Sequence, residues 1–226
     1  MSNKLESLWQ VQQQLRTLLM EEQQELRDLA KRVWSQQELE RNQLARDLHD
    51  GVGQSLAILS RRLKLRRDDS EDDENLYLLA NNAMEDIRTL ARLMRPTVLD
   101  DLGLHAALKW LARTMFEHEA IRYDIDVDVA EQLPTDLNIM VFRIAQEAFT
   151  NILKHAHATE VRVFACRNGQ AFRMDIIDNG VGFVYDAVEK GVGLSSMFDR
   201  AAAFDANLDL QTRPNNGTQL TLQVRL

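Results

Sequence analysis

The sequence is poor in cysteine and has no long apolar run. Among 226 residues there is a single cysteine, Cys166, so an internal disulfide is excluded and a reducing compartment is expected. No stretch approaches the roughly 18 consecutive apolar residues that a membrane span requires, and the N-terminus lacks the apolar core of a signal peptide. The sequence therefore predicts a cytoplasmic chain that carries no membrane span.

Basic residues are also fewer than acidic ones, with 27 Lys and Arg against 35 Asp and Glu. The formal net charge is -8 at pH 7, which argues against direct binding to nucleic acid, because such binding depends on a broad basic surface that neutralises phosphates. A local basic pocket for a small phosphorylated molecule remains compatible with this charge. The length predicts one or two domains.

Glycine and proline are scarce, and their positions are informative. Most of the nine glycines lie in two short clusters, at 51–53 and 180–193, while the segment 1–37 contains neither glycine nor proline. In that segment Leu8, Leu15, Leu26 and Val33 are spaced by 7, 11 and 7 residues. The spacing favours a coiled coil interrupted by a stutter. The alternative is an amphipathic helix that packs on its own domain.

Residues 38–96 are predicted to form a helical hairpin. Apolar residues recur every three or four positions up to about residue 67, a charged run at 66–74 predicts a turn, and a second apolar stripe ends at Pro96. One hairpin covers only one side of each helix, so two copies are expected to pair as a four-helix bundle in a homodimer. The predicted units are a coiled coil (1–37), a hairpin (38–96) and a further domain (97–226).

The segment after Pro96 mixes helices and strands. Residues 104–119 and 135–157 have helical periodicity, whereas 121–130, 161–167, 171–178 and 217–226 are typical of strands. Ser195 is in a position to cap a helix at 196–204. The pattern predicts an α+β sandwich with helices on one face of a sheet.

The first candidate site is "ARDLHDGVGQSL" (45–56), where His49 and Asp50 stand beside two glycines inside a predicted helix. A helix-interior glycine costs about 1 kcal/mol relative to alanine. On a helical wheel His49 lies on the flank of the apolar stripe with Gly53 one turn above it and Arg46 one turn below. This layout suits a nucleophilic imidazole that a bulky anion approaches. A surface histidine with a chance acidic neighbour is an equally good interpretation of these residues alone.

The second candidate site joins a helix to two glycine turns. Along 142–158, polar side chains interrupt an apolar helix at positions three or four residues apart, an arrangement suited to a hydrated divalent cation and a polyphosphate. An ordinary polar helix face is the alternative. Downstream, "DNGVGF" and "GVGL" place glycines where backbone approaches a ligand closely and where a helix begins. The polar residues of the helix are Glu147, Asn151, Lys154, His155 and His157.

Together these segments resemble the sensor histidine kinases of two-component systems, in the subfamily of the NarX-like nitrate sensors and DesK-like membrane-fluidity sensors. "ERNQLARDLHDGVGQSL" is similar to that subfamily's phosphoacceptor box, and "MRPTVLDDLGLHAAL" to the segment that follows it. "QEAFTNILKHAHA" resembles the N box, and "DNGVGF" and "GVGLSSMFDR" the two glycine boxes. The resemblance covers about residues 38–226. The chain departs from it at Ser196 and at Asp205-Ala206, where the family commonly has glycine.

The resemblance implies a Bergerat-type ATP-binding domain and a role for each matching residue. His49 would be the phosphoacceptor, Asp50 its activating base, and Gln54 would position the water that dephosphorylates a response regulator. Glu147 would assist around Mg²⁺, and the other implied ATP and Mg²⁺ contacts are Asn151 (the metal ligand), Lys154, His155, Asp178, Gly180, Gly182, Gly191, Gly193 and Thr218.

The implied function is ATP-dependent autophosphorylation, followed by transfer to the aspartate of a receiver domain. The chain would be cytoplasmic or the cytoplasmic portion of a larger membrane-bound sensor. Two alternatives stay open: a dimeric scaffold that binds nucleotide for conformation only, and an ATPase of the chaperone or mismatch-repair type.

Overall fold

The computed structural model describes residues 2–65, 71–129, 133–185 and 192–226, with side chains for all of these except 2–8, 71 and 192. The predicted α+β class is confirmed: a helical first half is followed by a five-stranded sheet with helices. The helices are α1 (Ser2–Asp47), α2 (Gln54–Lys64), α3 (Glu71–Met94), α4 (Thr97–Phe116), α5 (Thr135–Asn151) and α6 (Val192–Ala203), with π-helical turns at Leu48–Gly53 and Ile152–Ala156.

The first half of the chain is a long helix that continues into a hairpin. α1 is continuous across the predicted boundary between residues 37 and 38, so the first two predicted units share one helix. α2 packs along α3, and inside this hairpin the Ser60 hydroxyl donates to the Asn81 side-chain oxygen at 2.8 Å. Of the charged run 66–74, positions 66–70 lie outside the described residues, whereas α3 already begins at Glu71, so the predicted turn was too long.

A long apolar surface stays open to solvent on these helices. The predicted coiled-coil positions Leu15, Leu26 and Val33 are more than half exposed. The predicted hairpin stripe is likewise exposed at several positions in the single chain, in which one hairpin covers only one side of each helix. The exposed stripe residues are Leu44, Val52, Leu59, Leu76 and Leu90.

The sheet has the order β1-β2-β3-β5-β4. Its strands are β1 (Arg122–Asp128), β2 (Glu160–Asn168), β3 (Ala171–Asp178), β4 (Asn207–Thr212) and β5 (Thr218–Arg225). β1 and β2 are parallel, and the other neighbours are antiparallel. Alternate residues of β2 and β3, including Val163 and Met174, are buried under the helices. The side chains on the opposite face of these two strands are more exposed to solvent.

Three details differ from the sequence predictions for this half. β4 was not predicted, Ser195 lies inside α6 rather than capping it, and the helix predicted over 135–157 changes to a π-helical turn after Asn151. α6 is followed by Asp205 with φ of +53°. Glycine adopts this left-handed backbone most easily, and aspartate tolerates it better than most residues.

The stem helix α1 also packs against the sheet domain. Trp34 is only 7% exposed and meets the Phe204 ring edge-on, with 5.1 Å between centroids. One turn further on, the carboxylate of Glu38 accepts hydrogen bonds from the buried guanidinium of Arg143 in α5, the shortest at 2.7 Å. The same α1 helix therefore contacts both the hairpin and the sheet domain. No described helix is long and apolar enough to cross a membrane.

Candidate functional site

The predicted phosphoacceptor segment departs from a regular α-helix. Leu48–Gly53 forms a π-helical turn between α1 and α2, a local widening that is frequent at functional sites. Its two glycines are not required by crowding within the chain. A Cβ at Gly51 would have nothing within 4 Å, and one at Gly53 would make only ordinary contacts, the nearest at 3.6 Å. The room beside the turn is therefore open to a group that comes from elsewhere.

His49 and Asp50 form a hydrogen-bonded pair on the surface of this turn. The His49 Nδ1 lies 3.0 Å from Asp50 Oδ1, and the two side chains are 65% and 67% exposed. With Nδ1 facing the carboxylate, the other ring nitrogen, Nε2, carries the lone pair that can act as a nucleophile. Gln54, the first residue of α2, is exposed and follows the turn directly.

Most of the remaining predicted residues line a separate cavity of about 600 Å³. Its walls come from α5 and the turn after it, from the ends of β3 and β5, and from the start of α6. Gly180 lies next to the cavity rather than in its lining, and Gly191 lies outside the described residues. The predicted residues in the lining are Glu147, Asn151, Lys154, His155, Asp178, Gly182, Gly193 and Thr218.

Asp178 is the buried polar group of this cavity. It is 6% exposed at the end of β3, and its Oδ1 accepts a hydrogen bond from the Gly180 backbone N–H at 2.8 Å. Burial raises the pKa of the Asp178 carboxyl, and hydrogen bonds from Gly180 and Thr218 oppose that rise. A carboxyl fixed in this way is suited to accept a hydrogen bond from a ligand's amino group.

Gly182 is under tight steric constraint, whereas the atom nearest to a Cβ at Gly193 is the movable end of a side chain. Gly182 has φ of +55°, and a Cβ there would collide with the carbonyl oxygen of Arg213. A Cβ at Gly193, in the first turn of α6, would collide with the carboxylate of Glu147. Glycine is needed at 182 for both conformation and space. Because Gly193 has no side chain, the first turn of α6 can lie directly against the carboxylate of Glu147, which is predicted to assist around Mg²⁺.

The donors suited to a divalent cation are the Asn151 amide oxygen and the Glu147 carboxylate. Both line the cavity and both are oxygen ligands of the kind Mg²⁺ prefers. Among the described residues no group of three histidine, cysteine, aspartate or glutamate side chains could hold a metal alone. The arrangement fits a Mg²⁺ that keeps water ligands and is shared with phosphates, rather than an all-protein metal site.

Several residues around the cavity were missed by the sequence prediction. Apolar side chains form the wall on which a flat ring could rest, and two of them come from β4 and the unpredicted start of α6. Their hydrophobic character alone does not distinguish them from ordinary core residues. These wall residues are Ile152, Ile176, Phe183, Leu194, Met197, Leu210 and Leu220.

Arg143 was also missed. Its buried guanidinium donates to Glu38 and to the backbone oxygens of Leu93 at 2.7 Å and Met94 at 2.6 Å, so it joins α1, the end of α3 and α5. The signal in the sequence is a single arginine in the apolar run "VFRIA". Its partners could not be identified, because Glu38 lies 105 residues away.

Two family descriptions match the chain. Residues 40–99 match the family described as histidine kinase. Residues 137–226 match the family of histidine kinase-, DNA gyrase B- and HSP90-like ATPases. The first range contains the His49–Asp50 turn, and the second contains every residue that lines the 600 Å³ cavity.

Among known proteins, the sensor histidine kinase MctS of Rhizobium johnstonii is 37% identical over 213 residues, which are 88% of this chain and 46% of MctS. The chain thus spans about half the length of that relative. The histidine kinase domain of the blue-light activated kinase EL346 from Erythrobacter litoralis superposes with a TM-score of 0.53 at 17% identity, over 76% of this chain and 94% of that one. A second structure of the same kinase gives 0.51 at 19% identity, over 68% and 59%. These structures support the fold.

Proposed function

The chain belongs to the histidine kinase family, and from that premise we propose that it is the catalytic core of a two-component sensor kinase. It transfers the γ-phosphoryl group of ATP to His49 and then to an aspartate in the receiver domain of a response regulator. The observation that carries the proposal is that one chain contains two sites. The first is the exposed His49–Asp50 pair, with 3.0 Å between Nδ1 and Oδ1, and the second is the cavity that contains the buried Asp178.

In the first step the His49 Nε2 lone pair forms the N–P bond while the bond from Pγ to the bridging oxygen breaks. ADP leaves with that electron pair. The imidazole gains positive charge, and the Asp50 carboxylate, in contact with Nδ1, stabilises that charge and can accept the proton. In the second step the phosphoryl group passes from Nε2 to the receiver aspartate. Gln54 would position the water molecule that dephosphorylates that regulator.

The cavity would hold the nucleotide with its adenine end at Asp178 and Thr218 and its phosphates toward α5. Lys154 and His155 would contact phosphate oxygens, and Asn151 with Glu147 would hold Mg²⁺, which supplies charge neutralisation for the triphosphate when bound. The start of α6 would form one side of a lid over the phosphates, and the close approach of Gly193 to Glu147 supports this assignment. Gly191 would belong to the same lid.

The partner proposed for the helices is a second copy of this chain. The exposed leucines and valines of α1, α2 and α3 follow the helical repeat, and exposed apolar surface of this kind marks sites of protein–protein contact. Pairing two hairpins covers such stripes in a four-helix bundle. A sedimentation measurement in which the chain remains monomeric at micromolar concentration would contradict this part of the proposal.

The labelling experiment incubates the protein with [γ-³²P]ATP and Mg²⁺ and measures acid-labile, base-stable phosphate on the protein. We expect labelling of the wild type and none of His49→Gln, while both bind nucleotide equally. His118→Gln is the matched control, because His118 is another exposed histidine outside both sites. Equal labelling of the wild type and His49→Gln would overturn the assignment of His49.

Two other outcomes identify the alternatives. Nucleotide binding without labelling or hydrolysis would favour a dimeric scaffold. Steady ATP hydrolysis without labelled protein would favour an ATPase that uses water as the acceptor.

A further inference from the structure

The surface next to His49 contains a depression of about 280 Å³, less than half the volume of the nucleotide cavity. It lies between the end of α1 and the last two turns of α3, and His49 and Asp50 are part of its lining. No residue lines both this depression and the 600 Å³ cavity. The remaining lining residues are Ala45, Arg46, Arg88, Ala91, Arg92, Arg95 and Thr97.

Arginine dominates this lining. Arg88 and Arg92 lie four residues apart on one face of α3, Arg95 directly follows the last residue of α3, and Arg46 faces them from α1. Asp50 is the only acidic residue in the lining, and it is paired with His49. The four arginines therefore create a local positive potential around His49, the proposed nucleophile, in a chain whose net charge is -8.

The four guanidinium groups are not equally available. Arg88 is paired with Glu85, and Arg46 donates to the Gln43 side chain at 2.7 Å. Arg92 and Arg95 are exposed, and within the described parts of the chain their guanidinium groups form no hydrogen bond or ion pair. Their donors are therefore ready for a ligand, and no internal contact has to be broken first.

We infer that this depression, named here the arginine pocket, binds the phosphoryl group at the acceptor side, with Arg92 and Arg95 as its principal donors. The inference rests on the proposed function. The ligand class is a phosphoryl dianion, first as the γ-phosphoryl group that arrives at Nε2 and then as the phosphoryl group of phosphohistidine. Arginine is suited to this role because its planar fork donates two parallel hydrogen bonds to phosphate oxygens.

The pocket would act on the transfer step. Charge in the transition state is spread over the three equatorial oxygens of the phosphoryl group, and guanidinium donors placed there stabilise it. The nucleotide cavity supplies a cation of its own to the leaving side through Lys154. The arginine pocket supplies the corresponding charge on the side of the attacking nitrogen.

The test compares Arg92→Gln, Arg95→Gln and the double variant with the wild type. The measured quantities are the initial rate of ³²P labelling at saturating ATP, the KM for ATP, and the rate of reverse transfer from purified phosphohistidine to ADP. We expect each single change to slow labelling by roughly 10-fold, the loss expected for one charge-assisted contact. KM should be unchanged. Reverse transfer should slow as well, because it passes through the same transition state.

Two further variants separate charge, geometry and folding. Arg62→Gln removes an exposed arginine of α2 that does not line the pocket, and it should label like the wild type. Arg92→Lys keeps the charge without the fork, so it should recover only part of the rate. It also gives an answer if the double variant fails to fold.

Normal labelling and reverse transfer in the double variant would overturn the inference, even where His49→Gln shows that the proposed function holds. Normal labelling with slow transfer to the response regulator would overturn it too, and would make the arginines a docking surface for that protein. Absence of labelling in both the wild type and Arg62→Gln would instead contradict the proposed function itself.

Discussion

The two candidate sites of this chain are built on opposite physical principles. The side chains of His49 and Asp50 are about two-thirds exposed on a helical turn, and a Cβ added at the neighbouring Gly51 would have no other group within 4 Å. Asp178 is 6% exposed, and the neighbouring glycines leave no room for even one more carbon. The cavity is thus shaped before its ligand arrives, whereas the histidine site depends on groups that come to it. The difference agrees with the proposed delivery of a phosphoryl group from the cavity to His49.

Substituting glycine in the cavity gives the largest expected effect. Gly182→Ala forces a Cβ onto the Arg213 carbonyl and a side chain into a left-handed backbone, a combined cost of about 2–4 kcal/mol. We expect a lower melting temperature and an ATP affinity reduced more than about 10-fold, measured by thermal unfolding and by isothermal titration. A variant with wild-type stability and affinity would show that the cavity is not pre-shaped.

Removing the charge of Asp178 tests the cavity more gently. Asp178→Asn keeps an oxygen that can accept from the Gly180 N–H but loses the charge-assisted contact to a ligand's amino group, so ATP should bind roughly 10- to 100-fold more weakly. GTP, which presents an oxygen at that ring position, should be affected much less. An equal loss for both nucleotides would place the adenine ring elsewhere.

The same variant should change how stability depends on pH. Because burial raises the pKa of Asp178 in the folded state above the ordinary value of an aspartate, ionisation costs folding free energy once the pH passes that ordinary value. Without nucleotide, Asp178→Asn should therefore gain stability relative to the wild type as the pH rises from about 4 toward 7. A difference in melting temperature that stays constant over this range would contradict the assigned burial effect.

The smallest effect is expected at the open site. Gly51→Ala meets no neighbour, so stability should stay the same or increase by at most about 1 kcal/mol through better helix propensity. Labelling of His49 should nevertheless slow, since a side chain then occupies the space left for the approaching nucleotide. Unchanged labelling would mean that the glycine serves the π-helical turn rather than access.

The sequence predicted most of the residues that now face the cavity, because their types and spacing are local. Glu147 and Asn151 are one turn apart on α5, and the glycines that follow β3 mark a close approach of backbone. The roles assigned to these residues stay predictions. The boundaries proposed for the three units also stay predictions, although α4 does begin at Thr97.

Features that depend on residues far apart in the sequence could not be predicted from the sequence. β4 has only Leu208 and Leu210 as apolar residues among its six positions, and its edge is defined by pairing with β5. The π-helical turn at His49 carries no distinctive periodicity. The contact between Glu38 and Arg143 joins residues far apart in sequence, so neither could be paired from local pattern.

The burial of Trp34 against Phe204 gives the molecule an intrinsic optical reporter. Its indole lies at the junction of the stem and the sheet domain, while Trp9 is 64% exposed and Trp110 is half-buried. If the sheet domain must leave the stem to reach a histidine, that indole passes from an apolar contact into water. Its emission would then shift to longer wavelength in step with the motion. Replacing the other two tryptophans by phenylalanine would leave a signal whose rate can be compared directly with the rate of phosphorylation.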